Sequence, residues 1–396
     1  MAAPTGFLWG VTSSSTGTEG VAPAADWSAW ERSGRAPASH DGNGWRTNYA
    51  DDARLLASLG LNALRITIEW ARLEPAPDRV DGAEVEHQRR VLEVVRDAGL
   101  QPWITLHHGS LPGWFADDEG GYRDRRARGY FWPRHIDRCG EWFGDLVAGW
   151  VPIEDPIGWA IRGFLCGVRP PGRRDPEVAR EAIIGALEAN HLAWRMLRGS
   201  GAPVMCVLGL RTVRAAAAEA RNEAARWRQL LWDVPLRARR DGVLAVPGGA
   251  EIERPEMAGA FDLLGIAYDH PIAIDATGTA GPYPPTARRD ATGFAPNPNE
   301  LGEVLEQVAE AAPGVPLVVA ANGVATADES WAEELLRETL DVLDAVRDGG
   351  VDVRGYFHDT GIDGYEWNFG FDVRRGLVSR DRSVKPSGRL LQERIG

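Results

Sequence analysis

Apolar residues recur along this chain at two alternating periods. Leu64, Ile66, Ile68 and Trp70 occupy every second position of Asn62–Trp70, the spacing of a strand, and Glu84–Ala98 then shifts to helical spacing and stops at Gly99. The same pair repeats along the chain. Phe7–Val11 reads as strand and Asn48–Gly60 as the helix behind it, Pro102–His108 is followed by His135–Val147, and Trp150–Ile153 by the Ala-rich Glu177–Leu197. Val204–Leu210 precedes Ala215–Leu231, Phe261–Tyr268 precedes Glu300–Ala311, and Pro316–Ala321 precedes Asp328–Arg347. Gly355–Asp359 then leads to a short closing helix near Ser387–Glu393. Eight strands alternating with helices predict a parallel sheet, and right-handed crossovers repeated eight times close it into an α/β fold, a single (β/α)8 TIM barrel. A doubly wound open sheet has the same periodicity and is the alternative. No linker interrupts the pattern, so residues 1–396 read as one barrel domain.

The ends of the strands are polar. Glu69, His107 and His108, Glu154 and Asp155, Asp269 and His270, Asn322, and His358 and Asp359 stand there, and in a barrel such ends converge on one mouth, where active sites lie. The densest of these stretches, Gly149–Pro156, reads Gly-Trp-Val-Pro-Ile-Glu-Asp-Pro and sets two adjacent carboxylates before a proline. Pro156 biases Asp155 away from helix, which predicts an extended strand end for both acids. His107 and His108 are neighbours on a strand, so only one can face the barrel axis.

Composition narrows the partners. A formal net charge of −13 argues against nucleic acid, and 43 of the 44 basic residues are arginine without a clustered patch. Cys139, Cys166 and Cys206 are an odd number without metal-type spacing, which suits reduced thiols in a cytoplasmic protein. The first ten residues show neither a cationic leader nor a long apolar run, so no signal peptide and no membrane span are expected.

Several motifs together resemble the family 1 glycoside hydrolases, the β-glucosidase-like barrels, over nearly the whole chain. They are Phe7-Leu-Trp-Gly10 with Glu19-Gly20, Leu64-Arg65-Ile-Thr-Ile-Glu-Trp-Ala-Arg72, Thr105-Leu-His-His108, Gly163–Gly172, Phe261–Tyr268, Ala321-Asn-Gly323, Asp363-Gly-Tyr-Glu-Trp367 and Lys385-Pro-Ser387. The resemblance implies a general acid/base at Asp155, where Asn-Glu of the family has become Glu154-Asp155. It also implies a nucleophile position at Ala321, where a methyl group cannot attack a sugar. By the same resemblance the sugar-binding glutamine falls at Gly17, the tryptophan and aspartate after the third-strand histidine at Gly109 and Ser110, and the eighth-strand tryptophan at Asp359. Arg65, His108, Asn322, Glu366 and Trp367 are kept as substrate-binding positions, with Asp269 and Asp359 as added carboxylates.

The catalytic candidates are therefore Asp155 and Glu154 as a proton-transfer pair, since crowded like charges raise one another's pKa. The bland reading of that pair is an ion-paired structural element holding arginines such as Arg65. No cofactor and no metal are expected, although His108, Asp155 and Asp359 form a chemically possible ligand set. Two functions stand open. One is acid/base chemistry on a small polar, sugar-like or biosynthetic molecule, by elimination, isomerisation, cyclisation or inverting hydrolysis and without a covalent glycosyl-enzyme. The other is a pseudo-glycosidase that binds a carbohydrate or a protein partner.

Overall fold

Side chains that alternate along each strand fill the inside of a closed barrel. The computed structural model describes residues 6–396; residues 1–5, the start of the stretch on which the expectation about a leader rests, lie outside the described residues. Eight strands, β1 Leu8–Thr12, β2 Ala63–Thr67, β3 Gln101–Thr105, β4 Gly149–Val151, β5 Met205–Leu208, β6 Leu263–Ala267, β7 Leu317–Asn322 and β8 Val353–Asp359, pair in the order β4-β3-β2-β1-β8-β7-β6-β5. Bridges from Trp150 to Val204 and from Glu154 to Val207 join β4 to β5, so the sheet closes and the doubly wound alternative falls.

The inward positions form one apolar plug. Leu8, Ala63, Trp103, Val151, Met205, Val207, Leu263, Val318, Ala320 and Phe357 pack against one another, with every strand represented. Large and small residues alternate across it: a Cβ on Gly10 would lie 2.5 Å from the Phe357 ring, and Gly149 leaves room for Trp103. Outward residues such as Val11, Ile66, Ile104 and Val319 join the second core, between sheet and helices.

The helices that cover the sheet are α1 Trp45–Ser58, α2 Gly82–Asp97, α3 Arg125–Phe143, α4 Pro176–Leu197, α5 Arg221–Arg228 continuing through Gln229–Asp233 to Val234–Asp241, α6 Pro298–Ala311, α7 Glu329–Asp348 and α8 Pro386–Ile395. Aspartates cap them: Asp81, Asp124, Asp175 and Asp328 each accept from backbone N–H groups of a first turn. Two helices depart from the periodicity. α3 starts at Arg125 rather than His135, because Asp124 caps it at Ala127 N (2.7 Å), and it carries Pro133 inside. α5 starts at Arg221 rather than Ala215, because Val213–Ala215 is drawn into a small side sheet beside Ile272–Ile274 and Ala280–Pro282. Tertiary pairing there overrides the helix propensity of an alanine run. The side sheet zips the loops after β5 and β6 together at the mouth. Among the described residues no helix is long and apolar enough to cross a membrane.

Gly10→Ala tests the packing of the plug. Urea unfolding should show a loss of about 1–3 kcal/mol, partly relieved when Phe357→Leu is added; an unchanged midpoint would mean that the interior has slack at this layer.

Candidate active site

Above the apolar plug, the next inward layer is polar. Arg65 follows Ala63 by two positions on β2 and is fully buried. It donates to Thr105 Oγ1 (3.1 Å), to the Ala320 carbonyl (2.9 Å) and to both oxygens of Glu154, in the shorter contact through Nη1. Over this floor opens a cavity of about 170 Å³ at the C-terminal ends of the strands. Glu154, Asp155, His108, Asp269, Asp359, Glu366, Trp367 and Ala321 all line it.

The adjacent acids do not share a conformation. Asp155 is left-handed (φ 44°, ψ 68°) rather than extended, because Pro156 disfavours only the right-handed helical region, and a turned Asp155 caps the short helix Pro156–Ala160. Its Oδ1 accepts from Gly158 N and Gly209 N, each at 3.1 Å, and its Oδ2 from Arg162 Nη1 at 3.2 Å. Gly209 is bare because a Cβ there would lie 2.6 Å from Asp155 Oδ2. Glu154 and Asp155 thus meet the arginine-holding description, one through Arg65 and the other through Arg162.

A second set of carboxyls, three in all, gathers on Arg375, in the segment after β8. Arg375 Nη1 lies 3.3 Å from Asp269 Oδ1 and 3.6 Å from Asp359 Oδ2, and Nε lies 3.9 Å from Glu366 Oε2. These carboxyls keep 20–31% of their side-chain surface open to the cavity, but the cavity is sunk in the barrel mouth and solvates them poorly. Burial, with Asp359 and Asp269 close by, pushes Glu366 up to about 8 against the pull of Arg375. Burial and Asp269 likewise raise Asp359 to about 6. For Asp269 burial is outweighed by Arg375, His270 and Arg211, and its pKa falls. Burial and mutual repulsion thus raise both Glu366 and Asp359, so the cluster as a whole keeps a proton into the neutral range.

His108 faces the cavity, and burial together with Arg65 keeps it neutral, with Nδ1 3.3 Å from Thr67 Oγ1. His107 points the other way, packed against Tyr122 and Trp159. Trp367 stands edge-on to Trp27 with ring centres 4.8 Å apart, and the Arg169 guanidinium covers its face at 4.7 Å. Two expected substrate contacts are corrected. Arg65 has no exposure and reaches the cavity only through Glu154. Asn322 faces a separate small cavity, where it donates to the Tyr268 carbonyl (2.8 Å) and accepts from Tyr356 OH (3.1 Å). The cause is an irregularity in β7 between Val319 and Ala321, which shifts the alternation so that Ala321 faces the mouth and Asn322 does not. Glu69, His270 and His358 also lie off this cavity, and Glu69 pairs with Arg72 Nε at 3.0 Å.

Arg162, Arg169, Arg211 and Arg375 line the cavity and were not singled out from sequence. Arg169, Arg211 and Arg375 lie on loops, where no periodicity marks a direction, and Arg162 lies on the helical turn Ile161–Leu165 that continues Pro156–Ala160; Arg169 sits inside the Gly163–Gly172 motif, the one available signal. Among the described residues no three His, Cys, Asp or Glu side chains converge as metal ligands, so His108, Asp155 and Asp359 do not form a ligand set.

Residues 2–226 and 274–395 match the profile of glycosyl hydrolase family 1. The unmatched interval contains Asp269. Thermostable beta-glucosidase B of Thermobispora bispora is 29% identical over 419 residues, 96% of this chain and 86% of the relative. Beta-glucosidase A of Thermotoga maritima is 26% identical over 436 residues, 97% of this chain and 96% of the relative. Among solved structures, a beta-glycosidase from Pyrococcus horikoshii superposes with a TM-score of 0.91 at 26% identity, covering 99% of this chain and 94% of that one. The Thermotoga maritima beta-glucosidase in complex with deoxynojirimycin superposes at 0.87 with 23% identity, covering 99% of this chain and 98% of that one, a likeness that bears on the fold alone.

Two outcomes follow from the charges. Arg65→Met leaves Glu154 buried without its cation and should cost about 3–5 kcal/mol in chemical unfolding, whereas Arg65→Met with Glu154→Leu should recover most of it; equal losses in single and double variants would show that the pair is not what holds the floor. The second concerns pH. Between 4.5 and about 8 the folded protein keeps the Glu366 proton that the unfolded chain has lost, so this group's contribution to stability falls as pH rises through that window and is level above it. Glu366→Gln should therefore gain thermal stability relative to the wild type from pH 5 to 8, measured by calorimetry, and a constant difference across the window would place an ionised carboxylate there instead.

Proposed function

The chain belongs to glycosyl hydrolase family 1, and from that premise we propose a single barrel domain whose mouth binds a small polar, sugar-like molecule and transfers protons on it without a covalent glycosyl-enzyme. The observation that carries this reading is the carboxyl cluster on Arg375, with Glu366 raised to about 8 and Asp359 to about 6, in the same cavity as the methyl of Ala321. A group that keeps its proton beside one that has released it is a ready acid and base pair at neutral pH.

In this reading Glu366 is the acid and Asp359 the base. Glu154 and Asp155 act as positioning residues, because Arg65 neutralises the one and Arg162 with two N–H groups binds the other. The retaining glycosidase route requires a carboxylate nucleophile about 5 Å from the acid. By family resemblance that nucleophile's position is Ala321, which has no lone pair to offer, so the reactions that remain are those in which water or the substrate itself supplies the attacking or departing group. The relatives named beta-glucosidase support a sugar-like occupant. Glu366 has no equivalent role in the pair offered by the sequence; the assignment rests on its burial and its neighbours.

The test joins an inactivator to a substrate search. An activated 2-deoxy-2-fluoro-glucoside should leave the intact mass of the protein unchanged, and metabolite profiling of extracts should find a compound consumed by the wild type and spared by Glu366→Gln. A mass increase of one fluoroglycosyl group would refute the non-covalent route, and equal consumption by both proteins would remove Glu366 from the chemistry. If the wild type consumes nothing and yet a carbohydrate is retained, the chain is a binding protein.

A further inference from the structure

Charge is divided unevenly between the walls of the cavity. On one wall three carboxyls, from Asp269, Asp359 and Glu366, share the single guanidinium of Arg375. On the other, Arg162 and Arg169 have one close carboxylate between them, that of Asp155, which Arg162 takes. Among the described residues Arg169 has no carboxylate within ion-pair reach; Asp155 and Glu366 act on it only from farther away. Burial, followed by the nearby charge of Arg162, pushes its pKa well below the usual arginine range, the mark of a cation with too little negative charge around it. Arg211, just after β5, likewise has no carboxylate within ion-pair reach among the described residues, Asp269 acting on it only from farther away: its Nη1 lies 3.3 Å from His270 Nε2, on an imidazole that burial holds neutral.

A chain with net charge −13 thus presents two unmatched guanidinia to one cavity. Leaving a cation half-buried and unpaired is costly, and the cost is recovered when an anion with matching geometry arrives. Arg169 is also restrained by its neighbours. Its Cζ lies 4.7 Å over the Trp367 ring, and that ring is seated against Gly109, where a Cβ would come within 2.6 Å of it. The contact with the ring restrains the guanidinium, which lines the cavity and carries N–H groups able to bind two oxygens at once. Trp367 in this arrangement is a platform for Arg169, since the guanidinium already occupies its face.

We propose that the ligand of this cavity is a sugar-like molecule carrying an oxyanion, a carboxylate or a phosphate, and that the oxyanion docks on Arg169 beside Arg162. The inference rests on the proposed function and adds the class of ligand. It places the acidic group at the basic wall and leaves the hydroxyls of the ligand to the Asp359 and Glu366 wall.

Calorimetric titration of the full chain with D-glucuronate, D-glucose 6-phosphate and D-glucose tests it, with Arg169→Gln and Arg169→Lys beside the wild type and circular dichroism to establish that each variant is folded. At least one of the acidic sugars should bind the wild type about tenfold or more tighter than glucose, with affinity that drops as salt is added. Arg169→Gln should weaken that ligand by about ten- to a hundredfold, and Arg169→Lys should keep part of the affinity. Which acidic sugar binds distinguishes a carboxylate from a phosphate. Glucose binding as well as both acids, an acid-sugar affinity unmoved in Arg169→Gln, or no binding of any of the three would each overturn the proposal. The first of these leaves the proposed function standing, whereas a fluoroglycosyl adduct defeats that reading whichever sugar binds.

Discussion

The buried pair of Arg65 and Glu154 is the constraint on which the mouth is built. Both side chains are removed from water, and each would be strongly destabilising alone. Arg65 starts on β2 and its hydrogen bonds reach Thr105 on β3, Glu154 just past β4 and the Ala320 carbonyl on β7, so one guanidinium ties four parts of the barrel at a single height. Below it the interior is filled by hydrocarbon and aromatic rings; above it begins the cavity. The floor is thereby fixed in position and in charge, with the net charge of the pair near zero. What the walls carry is then felt by a ligand undiluted by the floor.

Those walls come from loops and one short helical turn on a rigid frame. Arg162 and Arg169 follow β4, Arg211 follows β5, and Glu366 and Arg375 follow β8. Strand ends supply Asp269 and Asp359. The side sheet that joins Val213–Ala215 to Ile272–Ile274 holds the β5 and β6 loops in register, with Ile272 N donating to the Thr212 carbonyl at 2.9 Å, and this brings Arg211 beside His270. Three carboxyls on one arginine cannot all ionise cheaply, so protonation is distributed among them by burial and mutual repulsion. The same arrangement that makes the cluster costly makes it able to give and take a proton near neutral pH.

Much of this was legible in the residues. The alternation of Leu64, Ile66 and Ile68, and its counterparts in seven other segments, placed every strand and so the barrel, and the polar strand ends placed His108, Glu154, Asp155, Asp269 and Asp359 at one mouth. The failures have physical causes. Asn322 was misplaced because an irregularity in β7 breaks the two-residue period, and Asp155 because a proline that forbids one backbone region leaves another open to an aspartate with N–H groups to bind. The loop arginines were missed because a loop has no period from which a direction can be read.

The sequence by itself determined the alternation of eight barrel strands with helices, because that periodicity is set by residues two to four positions apart. Only the tertiary structure decided which charges neutralise one another. Arg65 meets Glu154, Arg162 meets Asp155, Arg375 gathers Asp269, Asp359 and Glu366, and Arg169 meets a tryptophan face instead of a carboxylate. Electrostatic energy depends on distance in space and on the water excluded between the groups, and most of these partners, drawn from different loops, come within reach only when the barrel closes.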